Sequence, residues 1–182
     1  MRMTDIMMNN EIYDQYLENP DRVPLFGQAL IRDVVLPDIL GDDVDNIAYW
    51  EGKQLARRFQ LGNIEDLSRF FQQAAFGTLQ LTTQSAKEWQ FSLSGAPVAS
   101  RLAHNLQAPF MLEAGFLAQT VEQMIGVVAE TKTPLATPKT ATDAITLSVH
   151  LDPQDAIADP AELTPMTLIV PDQPDSTDLP TE

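Results

Sequence analysis

At Gly77 the apolar residues of this chain stop recurring every three to four positions and begin to alternate. A helical period turns one stripe of side chains inward, and a period of two turns one face of a strand inward. A chain that carries both must lay helices on a sheet. Upstream of the switch, Phe26, Leu30, Ile31, Val34 and Val35 predict a first helix. It should end before Pro37, because the residue preceding a proline avoids the helical region. Gly41-Asp42-Asp43 predicts a turn, and a second helix runs from Tyr49 to Phe59. Ala48, Gly52 and Ala56 form a stripe of small residues on it, where another backbone can approach. Gly52 costs about 1 kcal/mol relative to alanine inside a helix, and close contact is a physical reason to keep it. Asn63, followed by Glu65 and Asp66, reads as the cap and acidic first turn of a third helix. Its buried face is Ile64, Leu67, Phe70, Phe71, Ala74 and Ala75.

Downstream, Leu79 and Leu81 alternate with polar residues, as do Trp89, Phe91 and Leu93 after the turn Gln84-Ser85-Ala86-Lys87. Two such runs around a short polar turn predict an antiparallel hairpin with one apolar face. Val98 to Leu106 reads as a short helix, and Pro109 opens the longest one, with Leu112, Phe116, Leu117, Val121, Met124, Ile125 and Val128 on one face. Thr131 to Thr142 reads as a loop, and Ile145, Leu147, Val149 and Leu151 as a last strand. A lone hairpin is marginal in water, so helices must cover its apolar face. The expected fold class is therefore α+β: a small antiparallel sheet, hairpin plus C-terminal strand, covered by about four helices.

Charge divides the 182 residues into zones. Residues 1–25 hold five acids and two bases and are expected to form a flexible acidic extension. Residues 26–151 are expected to form a single globular domain. Residues 152–182 hold eight acids, six prolines and no base, and predict a disordered acidic tail. Met166-Thr167-Leu168-Ile169-Val170 is an apolar run inside that tail; if ordered, it would add as an edge strand or dock on a partner.

The formal net charge of −15 argues against nucleic-acid binding and against an anionic membrane surface. The apolar stretch Phe110–Val128 is interrupted by Glu113, Gln119, Glu122 and Gln123, so no spanning segment is expected. The start of the chain lacks the apolar core of a secretion signal, and a cytoplasmic location is expected. The absence of cysteine excludes disulfides, thiolate metal sites and cysteine nucleophiles.

No residue pattern argues for catalysis: there is no glycine-rich phosphate loop, no nucleophile elbow and no paired-carboxylate motif. His104 and His150 read as solvent-facing, no metal site is expected, and Asp42-Asp43-Val44-Asp45 lacks the spaced ligands of a calcium loop. Glu113, near the start of the long helix, suits the helix dipole. Arg57 and Arg58 suit it at the end of the second helix and are candidates for receiving an anion. The aromatic residues read mainly as core; Trp50, Phe59, Phe110 and Phe116 are candidates for lining a ligand pocket.

Several blocks carry a family resemblance: Leu30-Ile31-Arg32-Asp33-Val34-Val35-Leu36-Pro37-Asp38-Ile39-Leu40-Gly41, Tyr49-Trp50-Glu51-Gly52-Lys53-Gln54-Leu55-Ala56-Arg57-Arg58-Phe59, Phe76-Gly77-Thr78-Leu79 and Leu112-Glu113-Ala114-Gly115-Phe116. In this order they resemble the YslB family of small cytosolic proteins of Gram-positive bacteria, a family of unknown function. The resemblance spans about residues 26–151. It implies the ligand-binding fold shared by nitric-oxide-sensing domains, vinyl-reductase-like domains and TRAPP subunits of Golgi transport. Some of those relatives use a cysteine near the start of the long helix for metal or acyl attachment. Here that region reads Ala108-Pro109-Phe110-Met111-Leu112, which offers no covalent anchor. No histidine falls in a predicted main helix, which argues against haem, and no cofactor is expected.

The function expected from these readings is a non-enzymatic binding or protein-interaction module that forms a homodimer through helix faces. The alternative is a sensor or carrier of an apolar small molecule or lipid, held between the long helix and the sheet. An enzyme is the least supported reading.

Overall fold

The computed structural model describes residues 28–132, 144–157 and 163–170. Leu30–Val35 winds as a π-helix and runs without a break into α1 (Leu36–Leu40). Pro37 does not end the helix as expected: Leu36 keeps helical angles (φ −64°, ψ −45°), and Pro37 sits in the first turn of α1, where its missing N–H is not needed. Phe26 lies outside the described residues. A single 3-10 turn, Gly41–Asp43, leads into α2 (Val44–Arg58). Then come α3 (Ile64–Gln73), β1 (Thr78–Gln84), β2 (Glu88–Ser94), α4 (Ala96–His104), α5 (Met111–Ile125), β3 (Val127–Lys132) and β4 (Ala144–Ala156). The Asn63 side chain accepts a hydrogen bond from the Asp66 N–H (2.8 Å), the expected cap of α3.

The sheet has four antiparallel strands in the order β1-β2-β4-β3, one more than expected. Gly126, at φ 74°, caps α5 in the left-handed conformation and turns the chain straight into β3. Val128 is therefore a strand residue and not part of the helix face, while Thr131 and Lys132, expected in a loop, pair with Val149 and Ser148. Leu79, Phe91, Leu93, Leu147, Val149 and Ala129 give the sheet a fully buried inner face.

Helix α5 is the axis of the molecule. Every residue from Glu113 to Glu122 is buried, because the sheet lies on one side of the helix and α2 on the other. On one flank the Phe116 ring stacks on Phe70 at 4.8 Å and meets Phe71 edge-on at 5.8 Å. At the other flank the small-residue stripe is spent within the chain. A Cβ on Gly52 would come 2.8 Å from the Phe116 nitrogen, and one on Gly115 would overlap the Tyr49 carbonyl. The two backbones touch there, so the stripe does not serve a second copy.

The end of the chain also departs from expectation. Asp152–Ala156 continue β4, and residues 163–170 lie on the body as an extended segment. Gln60 holds this segment at the Thr164 N–H (2.6 Å) and the Met166 N–H (2.9 Å), and Gln73 donates to the Ile169 carbonyl (2.7 Å). Leu168 is 7% exposed and belongs to the core. The apolar run within the expected tail thus docks on its own protein. Residues 1–25 and 171–182 lie outside the described residues.

Candidate functional site

The N-terminal helical stretch contrasts with the rest of the core. Its sequence is rich in aliphatic residues, yet none of its residues is buried: Ile31 is 58% exposed, Val34 49% and Ile39 72%. It roofs a cavity of about 680 Å³ instead of filling it. Leu30, Val34 and Leu40 form the roof, Ile47 and Ala48 on α2 one wall, and Leu112 at the start of α5 the floor. No strand residue lines this space, so it is not the pocket expected between the long helix and the sheet.

One end of the cavity is polar. Arg32 and Asp33 descend from the roof and meet Arg101 on α4 and Glu113 on α5. Glu113 is fully buried; its Oε2 takes a short hydrogen bond from Arg32 Nη2. Arg101 donates to Asp33 Oδ1 from Nε (3.1 Å) and Nη2 (2.9 Å), and from Nη2 to the Pro109 carbonyl (2.7 Å). Its guanidinium lies 4.4 Å over the centre of the Phe110 ring. Burial, together with the like charge on Arg32, pulls Arg101 below its ordinary pKa. Beside this cluster is a recess of about 30 Å³, lined by Ala75, Phe76 and Glu113 among others.

A second polar cluster closes the opposite seam, between α2 and β3. Lys53 is buried; its Nζ bonds Glu130 Oε1 at 2.7 Å and lies 3.9 Å from Glu122 Oε2. The Tyr49 hydroxyl makes a short hydrogen bond to Glu130 Oε2 and accepts the Thr131 N–H (3.1 Å). Burial, reinforced by Glu130, raises the Tyr49 phenol above its ordinary pKa. Glu122 accepts from the Ala129 N–H (3.2 Å) and from Gln119 (2.9 Å). The bonds to Ala129, Glu130 and Thr131 fix β3 onto the helices, which is a structural duty.

None of the four candidate pocket aromatics lines the cavity. Phe116 is core, and Phe59 is half-buried with its ring 5.6 Å from that of Phe70. Phe110 supports Arg101. Trp50 is 58% exposed and covers Lys53, whose Nζ lies 5.7 Å from the ring centre. Arg57 and Arg58 sit in the last turn of α2, form no ion pair among the described residues and do not line the cavity. The His104 side chain lies outside the described residues; His150 stands in register between Glu88 and Glu130. Among the described residues, no group of three or more His, Asp or Glu is placed to hold a metal ion. Nor is any helix long and apolar enough to cross a membrane.

Sequence reasoning missed Arg32, Asp33 and Arg101. One signal was present: Arg32-Asp33 interrupts the apolar run Leu30-Ile31 and Val34-Val35-Leu36, and charges inside such a run need partners. The partners themselves are 81 and 68 residues away.

Comparison with known proteins agrees with this architecture. The model of the family described as Protein of unknown function (DUF2507) matches residues 25–150. The Uncharacterized protein YslB of Bacillus subtilis (strain 168) is 37% identical over 132 residues, covering 72% of this chain and 87% of that protein. A vinyl-4-reductase family protein from Methanocaldococcus jannaschii shares the fold with a TM-score of 0.58 at 16% identity, over 84% of this chain and 96% of that one. A trafficking protein particle complex subunit 3 from Naegleria fowleri scores 0.38 at 14% identity, over 81% and 92%. The chain belongs to the DUF2507 family.

Proposed function

We propose that this member of the DUF2507 family is a binding module without catalytic chemistry, which takes an apolar small molecule or lipid chain in the cavity beneath the N-terminal helical stretch. One observation carries the reading: a space of about 680 Å³ with mainly aliphatic walls, set beside a buried hydrophobic core. Ligand sites typically measure about 300–1,000 Å³ and combine apolar walls with a few convergent polar groups. The cluster of Arg32, Asp33, Arg101 and Glu113 supplies the polar groups. The lack of cysteine supports a cytoplasmic setting.

Gently purified protein should carry added mass in native mass spectrometry, or its melting temperature should rise with medium-chain apolar compounds. Val34→Trp, which fills the space from the roof without touching the core, should remove that response. Bare polypeptide with no response to any such compound would sink the reading.

A second reading rests on a different face. Ile31, Val35 and Ile39 follow one another at four-residue spacing and are 58%, 43% and 72% exposed. An exposed row of large aliphatic residues marks a face that a partner ordinarily covers. We propose that a second copy of this chain covers these residues, forming a homodimer. Sedimentation at micromolar concentration should give a dimer that Ile39→Glu dissociates; a monomer at all concentrations would refute it.

A further inference from the structure

We infer that the ligand of the cavity is an amphiphile whose head is uncharged and both donates and accepts a hydrogen bond, as a primary alcohol or a carboxamide does. This rests on the cavity being a binding site. Two buried polar atoms beside its charged end have no hydrogen-bond partner, Arg101 Nη1 and Glu113 Oε1. Arg101 uses Nε and Nη2 on Asp33 and Pro109, and Glu113 uses Oε2 on Arg32. The two orphans are 3.9 Å apart, too far to bond each other, yet close enough for one oxygen to reach both. They meet at the recess of about 30 Å³, which is room enough for a water-sized group. The recess and the cavity have Ala29, Arg32, Asp33, Ser100 and Arg101 as a common wall. A group there would accept from Arg101 and donate to Glu113, with its apolar body running under Leu30 and Val34.

Charge decides the class of head. Two guanidinium groups face two carboxylates, so their formal charges cancel. A carboxylate head would gain Arg101 but lie against the buried Glu113, and an ammonium head would meet two cations. Either burial leaves a charge uncompensated, whereas a neutral donor–acceptor group satisfies both orphans. A bound water makes the same two bonds, and a hydroxyl or amide that replaces it keeps them.

The test compares 1-octanol, octanamide, octanoate at pH 8 and octyltrimethylammonium on the full chain by titration calorimetry. Octanol and octanamide should bind at least about ten-fold tighter than either charged compound, as expected where buried polar groups read the ligand. Arg101→Lys, checked for folding by circular dichroism, should reduce that preference by removing the Nη1 donor. Equal affinity for all four heads, or tightest binding of octanoate, would overturn the inference and leave the cavity a binding site. If none of the four binds, the cavity reading itself falls and the inference with it.

Discussion

Helix α5 meets two very different neighbours. On its sheet and α3 side the rings of Phe116, Phe70 and Phe71 share one core cluster with Phe91, Leu93 and Leu147, all buried to 7% exposure or less. At its N-terminal end, under the roof helix, apolar residues of similar size stand apart around an open space, and polar contacts hold the parts together. Apolar sequence alone therefore does not make a core. What separates the two regions is whether side chains reach across the gap, since dispersion fades quickly with distance.

The sharpest way to break the comparison is to empty one position on each side. Phe116→Ala should lower unfolding free energy by about 3–5 kcal/mol in urea titrations, as large-to-small changes in a filled core do. Gly52→Leu should cost roughly 3 kcal/mol or prevent folding, because the added side chain meets backbone and not a movable side chain. Wild-type stability in that variant would show that α2 and α5 do not touch as described. Leu168→Ala should cost about 2 kcal/mol, measured in the same way, if the segment after β4 is part of the core. A change within about 0.3 kcal/mol would mean that the segment only rests on the surface. Smallest of all, Val34→Ala in the roof should shift stability by no more than about 0.5 kcal/mol, an effect typical of surface positions, while weakening the response to apolar ligands.

These two regions also differ in how much of them the sequence disclosed. The hairpin was legible, because alternation from Leu79 to Leu93 and a polar turn are local signals; the bulge between Leu81 and Thr83, which sets Leu81 opposite Phe91, was not. Helix α3 was legible down to its cap at Asn63. Strand β3 was not: Val127 and Val128 continue the apolar face of α5, and only the left-handed Gly126 separates them from it. Pro37 misled because a change from π to α winding makes the first turn of α1 available to it. The roof residues Leu30 and Val34 carry a helical period, which says that a face needs cover and nothing about what covers it. The polar end was hidden for a different reason. Glu113 reads as an ordinary first-turn acid, and nothing local reveals that Arg32 and Arg101 converge on it.

The wide turn of Leu30–Val35 has a consequence of its own. A π-helical turn takes up about one residue more than an ordinary helical turn. Deleting a single residue between Leu30 and Val35 would let that turn close as an ordinary helical turn, with the backbone on either side keeping its azimuth. Gln28, which reaches the Ala74 carbonyl from that backbone, would keep its direction. The wide turn thus absorbs one surplus residue without re-aiming Gln28 and Ala29 ahead of it.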